Sequence, residues 1–482
     1  MIKRLSVVCL IVLAIGCAAL YTDTRFHEAL HKEIHADNWQ AAIAVVEKAK
    51  KKGAYPDKDR LLYFLDLGML YHGAGEYERS NQYLEQAERA MEELFTASLS
   101  KAALSMMLND NSLEYRGEDY EDIYVNLFKA LNYIALGQND EALVEIRRID
   151  LKLRLLTDKY GRLAEEMNKL EDNRIDFTVQ PANFHNDALG RYLGALLYFY
   201  DGKYDDARID IEHYHRALVT QPQIYAKPAW NFSLNALDTT LLHVMAFTGT
   251  APEKTATIFR VLTGKNYLLV FPESKGQSFA QRFVWNGLDE GFYFKFALPE
   301  LQRRGSQVKF IDVHANGQYL GTLQPIEDMS RVAEVAFERH KSLIYLKSIV
   351  RTVLKGLAGQ KAKEEFAGEE EEKKEEQKKE KKADQDKKEK TEEKKTGRGK
   401  FAKWLFAAVV DVVTEISEQA DLRAWRTMPG VAHTGYFPLA EGTYDIRIRF
   451  LDAGGHPISQ KFFSRVPIRR WRLNMVEAVF LR

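Results

Sequence analysis

One stretch, Leu61 to Leu94, restricts what this chain can fold into more than any other: LLYFLDLGMLYHGAGEYERSNQYLEQAERAMEEL. Its apolar residues recur at helical spacing on either side of Gly73-Ala74-Gly75, so it predicts two antiparallel helices joined by a glycine turn. Leu67, Gly68 and Tyr71 share one face of the first helix. Tyr77 opens the second helix, whose buried stripe is Ser80, Leu84 and Ala87. Small residues stand where the two helices must touch. Such a pair cannot bury its apolar face alone, so it predicts neighbours.

The spacing resembles a tetratricopeptide repeat (TPR). Three further pairs are predicted. The first covers Thr24 to Gly53, with Phe26 and Leu30 in one helix, Trp39, Ala42, Val46 and Ala49 in the other, and Asp37-Asn38 as the turn. The third covers Asp119 to Leu156, where Tyr133, Ala142 and Ile146 take the places of Tyr71, Ser80 and Leu84 around Gly137. The fourth covers Ala188 to Gln221, with Tyr198, Gly202, Tyr204, Ala207 and Ile211 in pattern and Pro222 at its end. Extra helix fills Met91 to Arg116. The turn glycines Gly75, Gly137 and Gly202 are 62 and 65 residues apart, not about 34 as in a regular array. The expectation is an irregular α-solenoid; a generic helical bundle is the competing reading. Tyr71, Tyr133, Tyr198 and Tyr204 are the candidates for lining a partner groove.

The start reads as a targeting segment. Lys3 and Arg4 precede a short apolar run, Leu5 to Ile15. Ala14-Ile15-Gly16-Cys17 then resembles the lipobox of bacterial lipoproteins, which implies acylation of Cys17, removal of residues 1–16 and membrane anchoring through the lipid. Ala18, rather than Asp, implies sorting to the periplasmic face of the outer membrane. Cys9 and Cys17 are the two cysteines of the chain, so no disulfide framework or thiolate metal site can form after Cys17. Lys plus Arg and Asp plus Glu both number 69, which gives no general attraction to nucleic acid.

The pattern changes at Ala251-Pro252. Thr255 to Leu262, Asn266 to Phe271, Phe292 to Leu298, Gln307 to His314 and Gln318 to Leu323 alternate as strands, and Asn316-Gly317 predicts a hairpin. Helix returns from Ile326 to Leu357. Residues 361–400 are almost wholly Glu and Lys and cannot bury enough surface to offset their ordering entropy. Phe401 to Ala420 reads as an apolar helix that packs on the helix before the charged run. Thr443 to Leu451, Ile458 to Val466 and Leu473 to Leu481 are strands again, expected to pair with those of 255–323. The expected class is α+β: an N-terminal TPR-like α-solenoid, then a small β-sandwich-like domain interrupted by a helical hairpin. The divisions are 1–16 signal peptide, 17–250 helical domain, 251–325 first β part, 326–360 helix, 361–400 charged linker, 401–422 second helix and 423–482 second β part.

Several segments together resemble a family of bacterial TPR-containing lipoproteins with no assigned activity. They are the lipobox, Tyr120 to Asp150, Thr248 to Lys254 (TGTAPEK), Phe296 to Pro299, Ala420 to Pro429 (ADLRAWRTMP) and Pro438 to Tyr444 (PLAEGTY). In ADLRAWRTMP, Asp421, Arg423 and Arg426 are expected to form an ion pair or hold carbonyls, and Trp425 to plug the edge of the β domain.

Candidate chemistry is sparse. His27-Glu28-Ala29-Leu30-His31 spells HExxH, which on a helix places two imidazoles on one face, where they could hold zinc while the glutamate activates water. It falls in the first helix of a TPR-like pair, ten residues after Cys17 and without a downstream third ligand at known spacing, so a metal site at His27, Glu28 and His31 is rejected. No P-loop, Rossmann fingerprint or GxSxG elbow is present. No cofactor is expected. The leading expectation is a non-enzymatic, lipid-anchored cell-envelope scaffold that binds protein partners and no nucleic acid. The alternative is a peptidoglycan- or carbohydrate-binding protein with Trp285, Trp425 or Trp471 as stacking platforms.

Overall fold

The computed structural model describes residues 25–100, 111, 113–168, 187–225, 232–274, 280–285, 288, 290–291, 293–338, 341, 344–345, 348–351, 353 and 420–482. The predicted signal peptide, Cys17, residues 101–110 and 112 of the predicted extra helix, the charged run and the helix predicted from Phe401 lie outside the described residues.

The four helical pairs form. They are α1 (His27–His35) with α2 (Trp39–Lys51), α3 (Arg60–Gly73) with α4 (Tyr77–Ser100), α5 (Asp119–Ala135) with α6 (Asn139–Asn168), and α7 (Ala188–Tyr200) with α8 (Tyr204–Thr220). All four turns use one hydrogen-bond scheme. After α3, the Gly75 amide donates to the His72 carbonyl at 3.0 Å and the Glu76 amide to the Tyr71 carbonyl at 2.9 Å. The same pair of bonds recurs at Gly137/Gln138, Gly202/Lys203 and Asp37/Asn38. Each needs a left-handed residue, which glycine supplies three times and Asp37 once, at φ 59°. The α3–α4 contact is close because Gly68 has no side chain: a Cβ there would stand 2.5 Å from Leu84 Cδ2. Ser80 Oγ donates to the Gly68 carbonyl across the same contact, at 2.7 Å.

After the short helix α9 (Leu234–Leu237), the described residues form twelve strands in three four-stranded sheets. The first has the order β12 (Asn474–Phe480), β1 (Leu241–Thr250), β9 (Pro429–Pro438), β8 (Gln324–Asp328). The second has β11 (Pro457–Ile468), β10 (Gly442–Leu451), β6 (Phe310–Ala315), β7 (Gln318–Thr322). The third has β4 (Gln281–Val284), β3 (Tyr267–Pro272), β2 (Glu253–Gly264), β5 (Tyr293–Gln302). Neighbours are antiparallel except β1 and β12, which are parallel.

Alternation along β1 explains the layering. Met245 and Phe247 point into one core with the helices, while Leu242, Val244 and Ala246 point into a second core with Ile311, Val313, Ile446, Ile448 and Phe450 of the second sheet. The order is therefore helices, first sheet, second sheet. The third sheet has its own core, in which Val261, Leu268, Phe296 and Leu298 meet Trp285 and the helical residues Ile349, Val350 and Val353.

Three expectations change. The boundary at 250 placed β1 among the helices; buried along its whole length, the strand shows no polar alternation to reveal it. The strands of 253–302 do not share a sheet with the C-terminal strands, whereas β6 pairs with β10 across the interruption. Helix starts at 329 rather than 326, because 324–328 pair with β9.

Candidate functional site

Three of the segments that carry the family resemblance meet at one buried polar junction between the helical pairs and the sheets. Arg423 is its hub. Its guanidinium donates to both oxygens of Asp421 at 2.8 and 2.7 Å, to Asp59 Oδ1 at 2.8 Å and to the Leu113 carbonyl at 2.9 Å. It also lies over the Tyr115 ring, 5.3 Å from its centroid. Asp59 ends a 3-10 turn before α3 and is fully buried. Two residues on, the Trp425 amide donates to Glu121 Oε1 at 2.6 Å, and Trp425 Nε1 to Thr427 Oγ1 at 2.9 Å. Thr427 passes the chain to Asp66 at 3.1 Å, whose other oxygen accepts from the Tyr55 hydroxyl at 2.7 Å. On the far side Tyr115 donates to Glu121 Oε2 at 2.7 Å, and Lys254 of the TGTAPEK segment pairs with Glu118 at the cap of α5.

Burial sets the electrostatics. It raises Glu121 to about 7, helped by the Glu118 charge, and Asp66 to about 6, although Tyr55 and Thr427 hydrogen-bond it. It would lower Lys254, but Glu118 outweighs it and holds the ammonium above its usual range. Every one of these groups faces an internal partner. Chemically the arrangement can hold and release protons at Glu121 and Asp66, and it can lock α3 and α5 to the 420–428 segment.

Other buried charges bind the layers in the same manner. His72 sits 2.7 Å from Asn132 Oδ1 and 2.6 Å from Glu477 on β12. Glu327 of β8 accepts from Tyr124 at 2.5 Å, Tyr225 at 3.0 Å and the Leu189 amide at 3.3 Å. Burial first, and then neighbouring Asp187, push its carboxyl well above the usual range. Lys129 lies among Glu85, Glu88 and Glu145. Sequence reading passed over Asp59, Asp66, Glu121, Lys254, His72 and Glu327. A charge inside an apolar run, such as Asp66 in LLYFLDLGMLY, was the available signal.

Of the motif residues, Arg423 pairs with Asp421, Arg426 pairs instead with Glu253, and Trp425 sits in the helix-facing core beside Phe128 rather than at a sheet edge. The four groove tyrosines do not share an open face. Tyr71 is buried and stacked on Tyr83 and Arg79, and Tyr198 accepts from Arg147 at 3.0 Å. Tyr133 is half-buried, and Tyr204 is exposed against Phe199. The side of α5 and α7 turned to the sheets is filled by the chain itself: Phe128 touches Phe247 and Trp425, and Tyr192 and Tyr200 reach His243 of β1.

In the HEALH segment, His27 packs on Phe26 while Arg304 Nη1 lies 2.9 Å from His31 Nε2. Among the described residues no three His, Cys, Asp or Glu side chains are grouped to hold a metal. Of the three tryptophans considered as sugar platforms, Trp285 and Trp425 are buried and Trp471 is half exposed. Among the described residues no helix is long and apolar enough to cross a membrane. Comparisons with protein families, curated proteins and solved structures find no match.

Proposed function

We propose that this chain is a non-enzymatic, lipid-anchored envelope scaffold: a TPR-like array fused to a β-sandwich-like body, tethered through Cys17. The observation that carries the reading is the junction itself. Asp59, Asp66, Glu121, Lys254 and Arg423 all bond to neighbouring side chains or backbone groups, which suits a rigid mount rather than a reaction centre. Two facing sheets behind the helices support the sandwich-like description, and the four matching turns support the TPR-like one.

Because the chain's own strands fill the inner face of the array, a partner would dock on the outer face. There α6 exposes Val144, Leu151 and Leu155, spaced to share one side of the helix. A photo-crosslinker at Leu151 or Leu155 in cells should capture an envelope protein, while one at buried Tyr71 should not. Equal capture at all three positions, or none at the first two, would reject the outer-face reading. Radiolabelled palmitate incorporated by the natural chain and lost in Cys17→Ser tests the tether.

A further inference from the structure

Where the junction reaches the surface, cations gather with little to balance them. Arg304 follows β5, and Arg426 stands in the 420–428 segment; both are half-buried. Arg304 Nε donates to the Ala251 carbonyl at 3.2 Å, Nη2 to the Arg426 carbonyl at 3.4 Å, and Nη1 meets His31. These contacts fix the guanidinium through neutral groups. Arg426 has one ion pair, to Glu253 at 3.5 Å, and its side chain keeps 15% of its surface accessible. His35 lies one helical turn beyond His31, the ring centroids 6.1 Å apart, and it feels the charges of Arg304 and Arg482.

The facing carboxylates are Glu253 and, deeper, Asp66, which is occupied by Tyr55 and Thr427. Among the described residues, the Arg304 and Arg426 guanidiniums thus share one lip with Glu253 as its accessible carboxylate, and Arg482 stands close by, its carbonyl accepting from Ser306 two residues after Arg304. Burial first, and then the Arg304 and Arg426 charges, bring His31 down to about 3, so it stays neutral. Partly desolvated guanidiniums without full counter-charge are costly, and an added anion would offset that cost.

We propose that this lip binds a phosphate group, with Arg426 and Arg304 facing its oxygens, Arg482 adding positive charge beyond them and the His35 imidazole offering an N–H at the rim. Phosphate fits better than a carboxylate. Two guanidiniums on separate segments suit a tetrahedral group with several charged acceptors, and their planar forks match phosphate oxygens in pairs. The phosphate could belong to a soluble phosphorylated molecule or to a phospholipid headgroup. His27 follows Cys17 by ten residues, which span at most about 35 Å when extended, so a headgroup is within reach if Cys17 carries lipid. The phosphate site itself does not depend on that tether.

The test uses the full chain in a neutral detergent. Calorimetric titration with inorganic phosphate, at ionic strength matched with chloride, should show saturable binding. Affinity should fall at least about tenfold in Arg426→Gln, since a charge-assisted hydrogen bond to the phosphate is lost. A smaller, several-fold loss is expected in Arg482→Gln, at an exposed position. Circular dichroism checks folding; if Arg426→Gln is unfolded, Arg482→Gln and His35→Ala decide by the same titration. Phosphate that binds no better than chloride, or folded variants that all bind like the natural chain, would overturn the proposal. Competition by phosphatidylglycerol nanodiscs, with phosphatidylcholine nanodiscs as the reference, would assign the site to a lipid headgroup. Phosphate binding untouched by them would assign it to a soluble ligand.

Discussion

Replacing Arg423 by Met removes the hub of the junction while keeping most of its volume. The guanidinium is nearly inaccessible, with its side chain 2% exposed, and Asp59 beneath it is fully buried. Loss of the guanidinium takes away three bonds to carboxylate oxygens and one to the Leu113 carbonyl, and it leaves the Asp59 charge without its countercharge. Breaking a buried pair from one side costs about 3–5 kcal/mol. That is a large share of a typical folding stability of about 5–15 kcal/mol. The cost should shrink when Asp59 is neutralised as well, because the stranded charge goes with it. Arg423→Met should therefore cost about 3–5 kcal/mol, and Asp59→Asn/Arg423→Met about 1–3 kcal/mol less than the sum of the single changes. Urea unfolding followed by tryptophan fluorescence is the assay, since Trp425 is buried two residues away. Single effects that add to within about 0.5 kcal/mol would refute the coupling and with it the reading of Arg423 as the hub.

The junction should also gain stability on acidification. Glu121 rises from 4.5 to about 7 and Asp66 from 3.8 to about 6, each by burial, so the folded state holds these protons more tightly. Their contribution, about 3 kcal/mol each, is complete below the unfolded values and is lost as pH rises through about 6 to 7. His72, which Glu477 raises against the pull of burial, acts in the same direction. Urea midpoints should fall between pH 5 and 8, and more shallowly in Glu121→Gln; equal slopes would refute the assignment to Glu121. Gly68→Ala should cost about 1–3 kcal/mol by driving Cβ into Leu84, and Leu84→Ala should cost less in that background than alone. Thermal melts of the four chains check this, and additive losses would argue against a close contact there. Glu327→Gln should change stability by less than about 1 kcal/mol and Glu327→Ala by about 2–4 kcal/mol, because an amide replaces a neutral acid but a methyl takes away the acceptor of the Tyr124 and Tyr225 hydroxyls. Equal losses in the two variants would mean that Glu327 is ionised.

The amino-acid sequence determined the features that depend on neighbours along the chain. The helical pairs were legible because each turn closes through residues three and five apart and needs one left-handed position, at Asp37, Gly75, Gly137 and Gly202. The β6–β7 hairpin was legible for the same reason, through Asn316-Gly317 at φ 47° and 83°. Tertiary structure alone decided what each buried charge meets. Arg423 finds Asp59 from 364 residues away, the Trp425 amide finds Glu121 from 304, and His72 finds Glu477 from 405. No periodicity encodes such partners. Helical spacing told that Tyr71, Tyr133 and Tyr198 repeat, but not that strands of the same chain would fill the face beside them. Burial on both faces likewise erased the alternation that would have marked β1. Local turn chemistry is a property of a few consecutive residues. The junction at Arg423 exists only after the 420–428 segment has been carried back across the fold and desolvated against α3 and α5.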